Sequence, residues 1–233
     1  MISESCDKLF DVDNLKRLLN RYNIDINKNM GQHFLVDRSF LEKVARGAGK
    51  GKTAVEVGAG PGSLTCLLKK RFENVFAIEL DEKFRKLLKG LNPEDSIEFV
   101  HRDFLNLDFI ELGLESPGDA RLIGNIPYNI TGKIMERAVA ERKYFSKAVF
   151  TIQKEVADRI LADPGSKECG AITYFIQAYG EVSLLSEIPP SAFYPPPEVY
   201  SSIIEINFYR EKRFDANVES FFSVIRGLFN YRR

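Results

Sequence analysis

The stretch TAVEVGAGPGSLTCLLKKRF, Thr53 to Phe72, decides the fold. TAVEVG is apolar and rich in valine, the signature of a buried strand. Gly58, Gly60 and Gly62 follow at alternate positions. Glycines there let the chain turn tightly and let a ligand come close to the main chain. SLTCLLKKRF then has the pattern of a helix. Strand, glycine loop and helix together suit NAD, FAD, S-adenosylmethionine or a mere tight turn.

The alternation continues outward. NVFAIEL (Asn74 to Leu80) reads as a strand and EKFRKLLKGL as a helix. SIEFVHRD (Ser96 to Asp103), ARLIGNIP (Ala120 to Pro127) and KAVFTIQ (Lys147 to Gln153) are further strands. The last two lead into the helices GKIMERAVAER and KEVADRILA. Upstream, Asn14 to Tyr22 carries Leu15, Leu18 and Leu19 at helical spacing. SFLEKVARGAG predicts a helix with Ser39 as N-cap and a stop near Gly47. Gly165 to Gly170 reads as a surface loop. VSLLSEI and YSSIIEINFY are joined by PPSAFYPPPEV with no helix between them, which predicts an antiparallel pair. The sum is an α/β fold with a seven-stranded, mostly parallel sheet whose last pair is reversed. SFFSVIRGLFNYRR predicts one more helix.

Composition narrows the function classes. The 233 residues hold 33 Lys plus Arg against 33 Asp plus Glu, so net charge does not favour a nucleic-acid partner. Local charge is uneven. Basic clusters occur at Lys69–Arg71, at Arg137 with Arg142, Lys143 and Lys147, at Arg210 with Lys212 and Arg213, and at Arg226 with Arg232 and Arg233. Any one of them is ordinarily solvated surface. Apolar runs are too short to span a bilayer, and MISESCDKLFDVD is unlike a signal peptide. A cytoplasmic protein with no membrane contact is expected. Cys6, Cys66 and Cys169 are scattered and odd in number, which predicts free thiols, no disulfide and no metal site.

Two acidic residues sharpen the glycine loop. Glu79 ends the second strand, where a carboxylate accepts from both hydroxyls of a ribose. Asp103 ends the third, where it accepts from an adenine amine. An N-cap or surface role is the competing account of each alone. Glu56, two residues before the loop, is placed to orient the loop amides or to lie near a cationic ligand. The spacing G-x-G-x-G, rather than G-x-G-x-x-G, favours S-adenosylmethionine over NAD.

GQHFLVD, VEVGAGPGSLT, AIELD, HRDFLNLDF, GNIPYNITG, QKEVADRI, PGSKECG and PPSAFYPPPEVYSS stand in the order and spacing of the KsgA-type rRNA adenine dimethyltransferases. The chain resembles that family from about Asn14 to Arg233. The resemblance implies a class I, Rossmann-like methyltransferase. It implies dimethylation of N6 on two adjacent adenosines near the 3′ end of small-subunit rRNA, by a monomer acting on immature subunits and without metal. It also implies three parts: a lead-in with a helix (1–30), the S-adenosylmethionine-dependent domain (31–209), and the start of a helical RNA-binding part (210–233) that family members continue further. Carried over by position, His33, Leu35, Gly58, Gly60, Glu79, Asp103 and Asn125 contact the methyl donor. Position 33 is often Asn in the family, so its backbone is the firmer contact. Phe193 of SAFYP covers one face of the target base.

The turn Asn125-Ile126-Pro127-Tyr128 suits that chemistry. The N6 lone pair of adenine is delocalised and must be localised by hydrogen-bond acceptors. The Asn125 side-chain oxygen and the carbonyl near Ile126 are such acceptors, and Pro127 stiffens the carbonyl's aim. Tyr128 stacks on the base, a contact worth about 1–3 kcal/mol. A paired base cannot reach such a pocket, so the target is unpaired or flipped out. Phosphate contacts are expected from Arg137 to Lys147 and Arg210 to Arg233. Competing accounts are an Erm-like enzyme of large-subunit rRNA, an assembly factor whose catalysis is secondary, and an NAD-type oxidoreductase.

Overall fold

Short apolar runs, continuous rather than alternating where a strand is buried on both faces, form the central strands here, and runs with period near 3.6 form the helices. The computed structural model describes residues 6–26, 31–91, 97–211 and 217–230. Helix α1 (Val12–Arg21) is capped by Asp11, whose carboxylate accepts from the Asn14 amide at 2.9 Å. It buries Leu15, Leu18 and Leu19, each worth about 1.5–3 kcal/mol relative to exposure. Strand β1 (Phe34–Leu35) precedes α2 (Arg38–Ala48). The α2 cap is Asp37, not Ser39: its carboxylate accepts from the Ser39 amide at 2.8 Å and the Ser39 hydroxyl at 2.6 Å. The helix ends at Gly49 in positive φ.

Next come β2 (Gly51–Val57), α3 (Ser63–Leu68), β3 (Phe72–Glu79), α4 (Arg85–Gly90) and β4 (Ile97–His101). They are followed by β5 (Ala120–Asn125), α5 (Thr131–Ala140), β6 (Phe145–Gln153) and α6 (Lys154–Leu161). Then α7 (Ala171–Gln177) follows the expected loop. No sequence expectation covered α7, because AITYFIQ is short and rich in β-branched and aromatic residues, which favour strands. Strands β7 (Gly180–Ile188), β8 (Phe193–Tyr194) and β9 (Ser201–Phe208) precede α8 (Val218–Asn230).

The main sheet has seven strands in the order β4-β3-β2-β5-β6-β9-β7. The first five pair in parallel, and β9 pairs antiparallel with both β6 and β7. Along β6, Val149 packs on one face, while Ala148, Phe150 and Ile152 pack on the other. Helices α1 to α4 cover the first face and α5 to α8 the second. Separately, β1 and β8 form a two-stranded ladder, Leu35 opposite Phe193. Two-residue strands are too short to announce themselves by pattern.

The chain runs outward from β2 to β4 and returns to β5 on the other side of β2. The strand order reverses there, and in open α/β sheets ligands bind outside the carboxyl ends of the strands at that point. Gly124 lets β5 close on β2 at this switch: a Cβ there would sit 2.6 Å from the Val57 carbonyl oxygen.

The expectation of three free thiols is overturned. Cys6 and Cys66 are joined by a disulfide that ties the segment before α1 to α3, while Cys169 is free and buried. Sixty residues separate the pair in sequence, so spacing gave no sign of it. Among the described residues no helix is long and apolar enough to cross a membrane, and no cluster of His, Cys, Asp and Glu could hold a metal ion.

Candidate active site at the strand switch point

A cavity of about 270 Å³ opens at the carboxyl ends of β2 to β5. Its wall brings together His33, Gly58, Gly60, Glu79, Asp103, Asn125, Pro127 and Tyr128. Those eight come from segments scattered over nearly a hundred positions, and only the parallel sheet gathers them.

Gly58, Gly60 and Gly62 all adopt positive φ. The Gly60 amide donates to one Glu79 oxygen at 2.7 Å, and the Asp81 amide donates to the other at 2.9 Å. Glu79 is thus held rigidly with lone pairs left over for a ligand. It is 8 % exposed, and burial pushes its carboxyl above the ordinary range, against the pull of those amides. Asp103 serves two roles. It caps the turn Phe104–Asn106, accepting from the Leu105 amide at 3.0 Å and the Asn106 side chain at 2.8 Å, and it lines the cavity.

The Asn125 side-chain nitrogen donates to the His33 carbonyl at 2.7 Å. That bond fixes the amide's orientation and leaves its oxygen as the acceptor a ligand meets. The Ile126 amide is tied to the Thr151 carbonyl at 3.0 Å, so the turn is anchored to β6. The Tyr128 hydroxyl pairs with that of fully buried Ser201 at 2.7 Å, and burial raises its pKa. The imidazole of His33 lies nearly parallel to the Tyr128 ring, centroids 5.6 Å apart, and its Nδ1 donates to the Pro195 carbonyl at 2.8 Å. Four segments therefore fix the plane of Tyr128.

Three expected site residues lie elsewhere. The Leu35 and Phe193 side chains face each other in the β1–β8 ladder and are 3 % exposed, inside the core. Glu56 is buried behind the loop, where it accepts from the Thr65 hydroxyl at 2.6 Å. Burial pushes its pKa up to about 8, so it is predominantly neutral at pH 7. Its role is to join β2 to α3, not to meet a ligand. Gln32, Leu80 and Arg102 line the cavity without having been singled out. Leu80 is 53 % exposed directly after a strand end, and that apolar residue in AIELD was the available signal.

Most of the described basic residues expected to contact phosphate are ion-paired within the chain. Arg137 and Lys143 pair with Glu141, Lys147 with Glu205, Arg210 with Asp119 and Arg226 with Glu136. Lys147 and Arg210 lie toward the amino ends of the parallel strands, away from the cavity. Lys212, Arg213, Arg232 and Arg233 fall outside the described residues.

The family model "Ribosomal RNA adenine dimethylase" matches residues 23–233. A Clostridium botulinum protein named ribosomal RNA small subunit methyltransferase A is 38% identical over 224 residues, 94% of this chain and 81% of the relative. A dimethyladenosine transferase structure from Plasmodium falciparum superposes with TM-score 0.75 at 25% identity, covering 86% of this chain and 72% of that one. The 23S rRNA methyltransferase ErmE gives TM-score 0.69 at 26% identity, over 83% and 77% of the two chains. The chain has the class I methyltransferase fold and belongs to the ribosomal RNA adenine dimethylase family.

Proposed function

We propose that this protein dimethylates N6 of two adjacent adenosines near the 3′ end of small-subunit rRNA, with S-adenosylmethionine as methyl donor and no metal. The carrying observation is Asn125, whose nitrogen is committed to His33 while its oxygen stays available at the cavity wall. The cavity residues fit the donor. Glu79 accepts from the ribose hydroxyls, Asp103 from the adenine amine, and Leu80 and Phe104 give the adenine an apolar bed. Glycines at 58 and 60 let the methionine part approach the main chain. Bound there, the donor supplies an electrophilic methyl group on a sulfonium.

The protein's own work is orientation. The Asn125 oxygen and the Ile126 carbonyl accept from the target amine, which draws its lone pair out of the ring. Tyr128 stacks on the base with the ring face turned from His33. A new C–N bond forms as the C–S bond breaks, the sulfur keeps the electron pair, and the amine proton leaves to water. In-line placement at about 3–3.5 Å contributes roughly 7–11 kcal/mol. No general base is needed, because the protonated product is acidic.

The small-subunit target follows the name borne by the botulinum relative, and ErmE keeps large-subunit rRNA as the second reading. The division at 30 and 209, action in the cytoplasm and a monomeric state belong to the same proposal. The test is transfer of tritiated methyl groups to immature small subunits, with nucleoside analysis. Label in N6,N6-dimethyladenosine from small-subunit rRNA supports it; label only in large-subunit rRNA, or none, overturns it.

A further inference from the structure

The segment from Pro195 to Ser201 is pinned at both ends to the wall of the cavity. The Pro195 carbonyl accepts from His33 Nδ1 at 2.8 Å, and the Ser201 hydroxyl pairs with that of Tyr128 at 2.7 Å. His33 and Tyr128 both line the cavity. Ser201 also stands opposite Gln153, the last residue of β6. The segment therefore ends at the carboxyl edge of the parallel strands, the edge where the cavity opens. Tyr200 directly precedes Ser201. One Cα–Cα step of about 3.8 Å, the Ser201 side chain and its hydrogen bond put the Tyr200 Cα within roughly 10 Å of the Tyr128 hydroxyl.

Ser201 turns inward to Tyr128, and successive side chains of an extended chain point to opposite sides. Tyr200 accordingly faces solvent: it is 53% exposed, and Val199 before it 45%. Among the described residues the Tyr200 side chain has no hydrogen bond and no ring contact. Its backbone is nonetheless fixed. The Tyr200 carbonyl accepts from the Lys154 amide at 2.9 Å, and the prolines at 195, 196 and 197 set φ upstream. The surroundings offer little to a phosphate. Glu198 is exposed, and the Lys154 ammonium is held by Glu187 at 2.6 Å and Asp158 at 3.1 Å. What the segment presents is a ring on a stiff backbone, not a charge.

A base that flips into the cavity leaves its neighbour with one face unstacked. Bases splayed from a single-stranded loop are held on aromatic side chains. We propose that Tyr200 stacks on the nucleotide next to the flipped adenine, outside the cavity, while Tyr128 holds the adenine within it. The proposal rests on RNA as substrate. Stacking on an aromatic ring tolerates any base, so the same ring serves whichever nucleotide adjoins the target.

The test is a double-mutant cycle between protein and RNA, on a fluorescent hairpin with one adenosine in its loop. Tyr200→Ala is expected to weaken binding about 5- to 150-fold. Tyr200→Phe, which keeps the ring, is expected to bind as wild type does. The slope of log affinity against log salt should not change, because no charge is lost. Calorimetry with S-adenosylhomocysteine verifies that each variant keeps its cavity. On the RNA side, the nucleotide before or after the adenosine is replaced by an abasic residue. On one of these two hairpins wild type and Tyr200→Ala are expected to bind equally. Tyr200→Ala that binds the intact hairpin like wild type overturns the proposal, as does a defect that persists in full on both abasic hairpins. Weakened binding to immature subunits with no change on the hairpin also overturns it, and gives Tyr200 to a protein of the subunit. Wild type that binds neither hairpin nor subunits overturns the proposed function itself.

Discussion

The two ends of the central sheet handle charge in opposite ways. At the carboxyl end, Glu79 and Asp103 take hydrogen bonds from their own backbone and still line an open cavity. At the amino end, Arg121, Lys147 and Arg210 close onto Asp119 and Glu205 of the same chain. The first arrangement is preorganised and unfinished; the second is complete. The difference teaches that a polar group signals binding by what its partners leave free, not by its presence. A basic run in sequence carries little weight until its partners are known.

The largest effect expected from breaking this contrast is at Asn125. Asn125→Ala removes the oriented acceptor and should lower methyl transfer by about 10²–10³-fold, the size measured when one oriented group facing the reacting centre is lost. Affinity for S-adenosylhomocysteine should change only a few-fold, measured by calorimetry beside single-turnover kinetics. Glu79→Ala should act the other way round. It strips the ribose of a charged acceptor worth about 1.5–3 kcal/mol, so donor affinity should fall roughly 10- to 100-fold.

At the amino end the effects should be on stability alone. The Lys147–Glu205 pair spans 2.9 Å and is mostly shielded from water. Lys147→Ala leaves Glu205 without its cation and should cost about 1–2 kcal/mol in denaturant unfolding, between exposed and buried pairs. RNA affinity should stay the same; a drop would put Lys147 in the interface after all. The smallest effect sharpens the contrast between Glu56 and Glu79. The folded pKa of Glu56, about 8, lies above its unfolded value. Its contribution is full below the unfolded value and lost as pH rises through 8. Between pH 7 and 8 wild type should lose about 1 kcal/mol from this group. Glu56→Gln, which keeps an acceptor for Thr65, should remove that loss in unfolding curves at the two pH values.

Much of the fold was legible because its signals are local. The strand at Thr53, the glycine loop and the reversed final pair each show within about twenty residues, and the residues at strand ends that were singled out do reach the cavity. What was hidden is non-local. Lys147 meets Glu205 and Arg210 meets Asp119 only after folding, and Cys6 finds Cys66 the same way. Leu35 and Phe193 resemble site residues by motif, yet their side chains fill the core, because a two-residue ladder joins their segments. Helix α7 was missed because tertiary packing of Phe175 and Ile176 overrides the local preference of AITYFIQ.

The central claim is that Asn125 and Tyr128 hold an extruded adenine against the methyl donor. A crystal structure with S-adenosylhomocysteine and an adenosine-containing hairpin tests it most directly. The account predicts the Asn125 oxygen within about 3 Å of the adenine N6, hydrogen-bonding distance, with the base stacked on Tyr128. An adenine bound elsewhere, or an Asn125 side chain turned away from it with the His33 bond broken, would contradict the account.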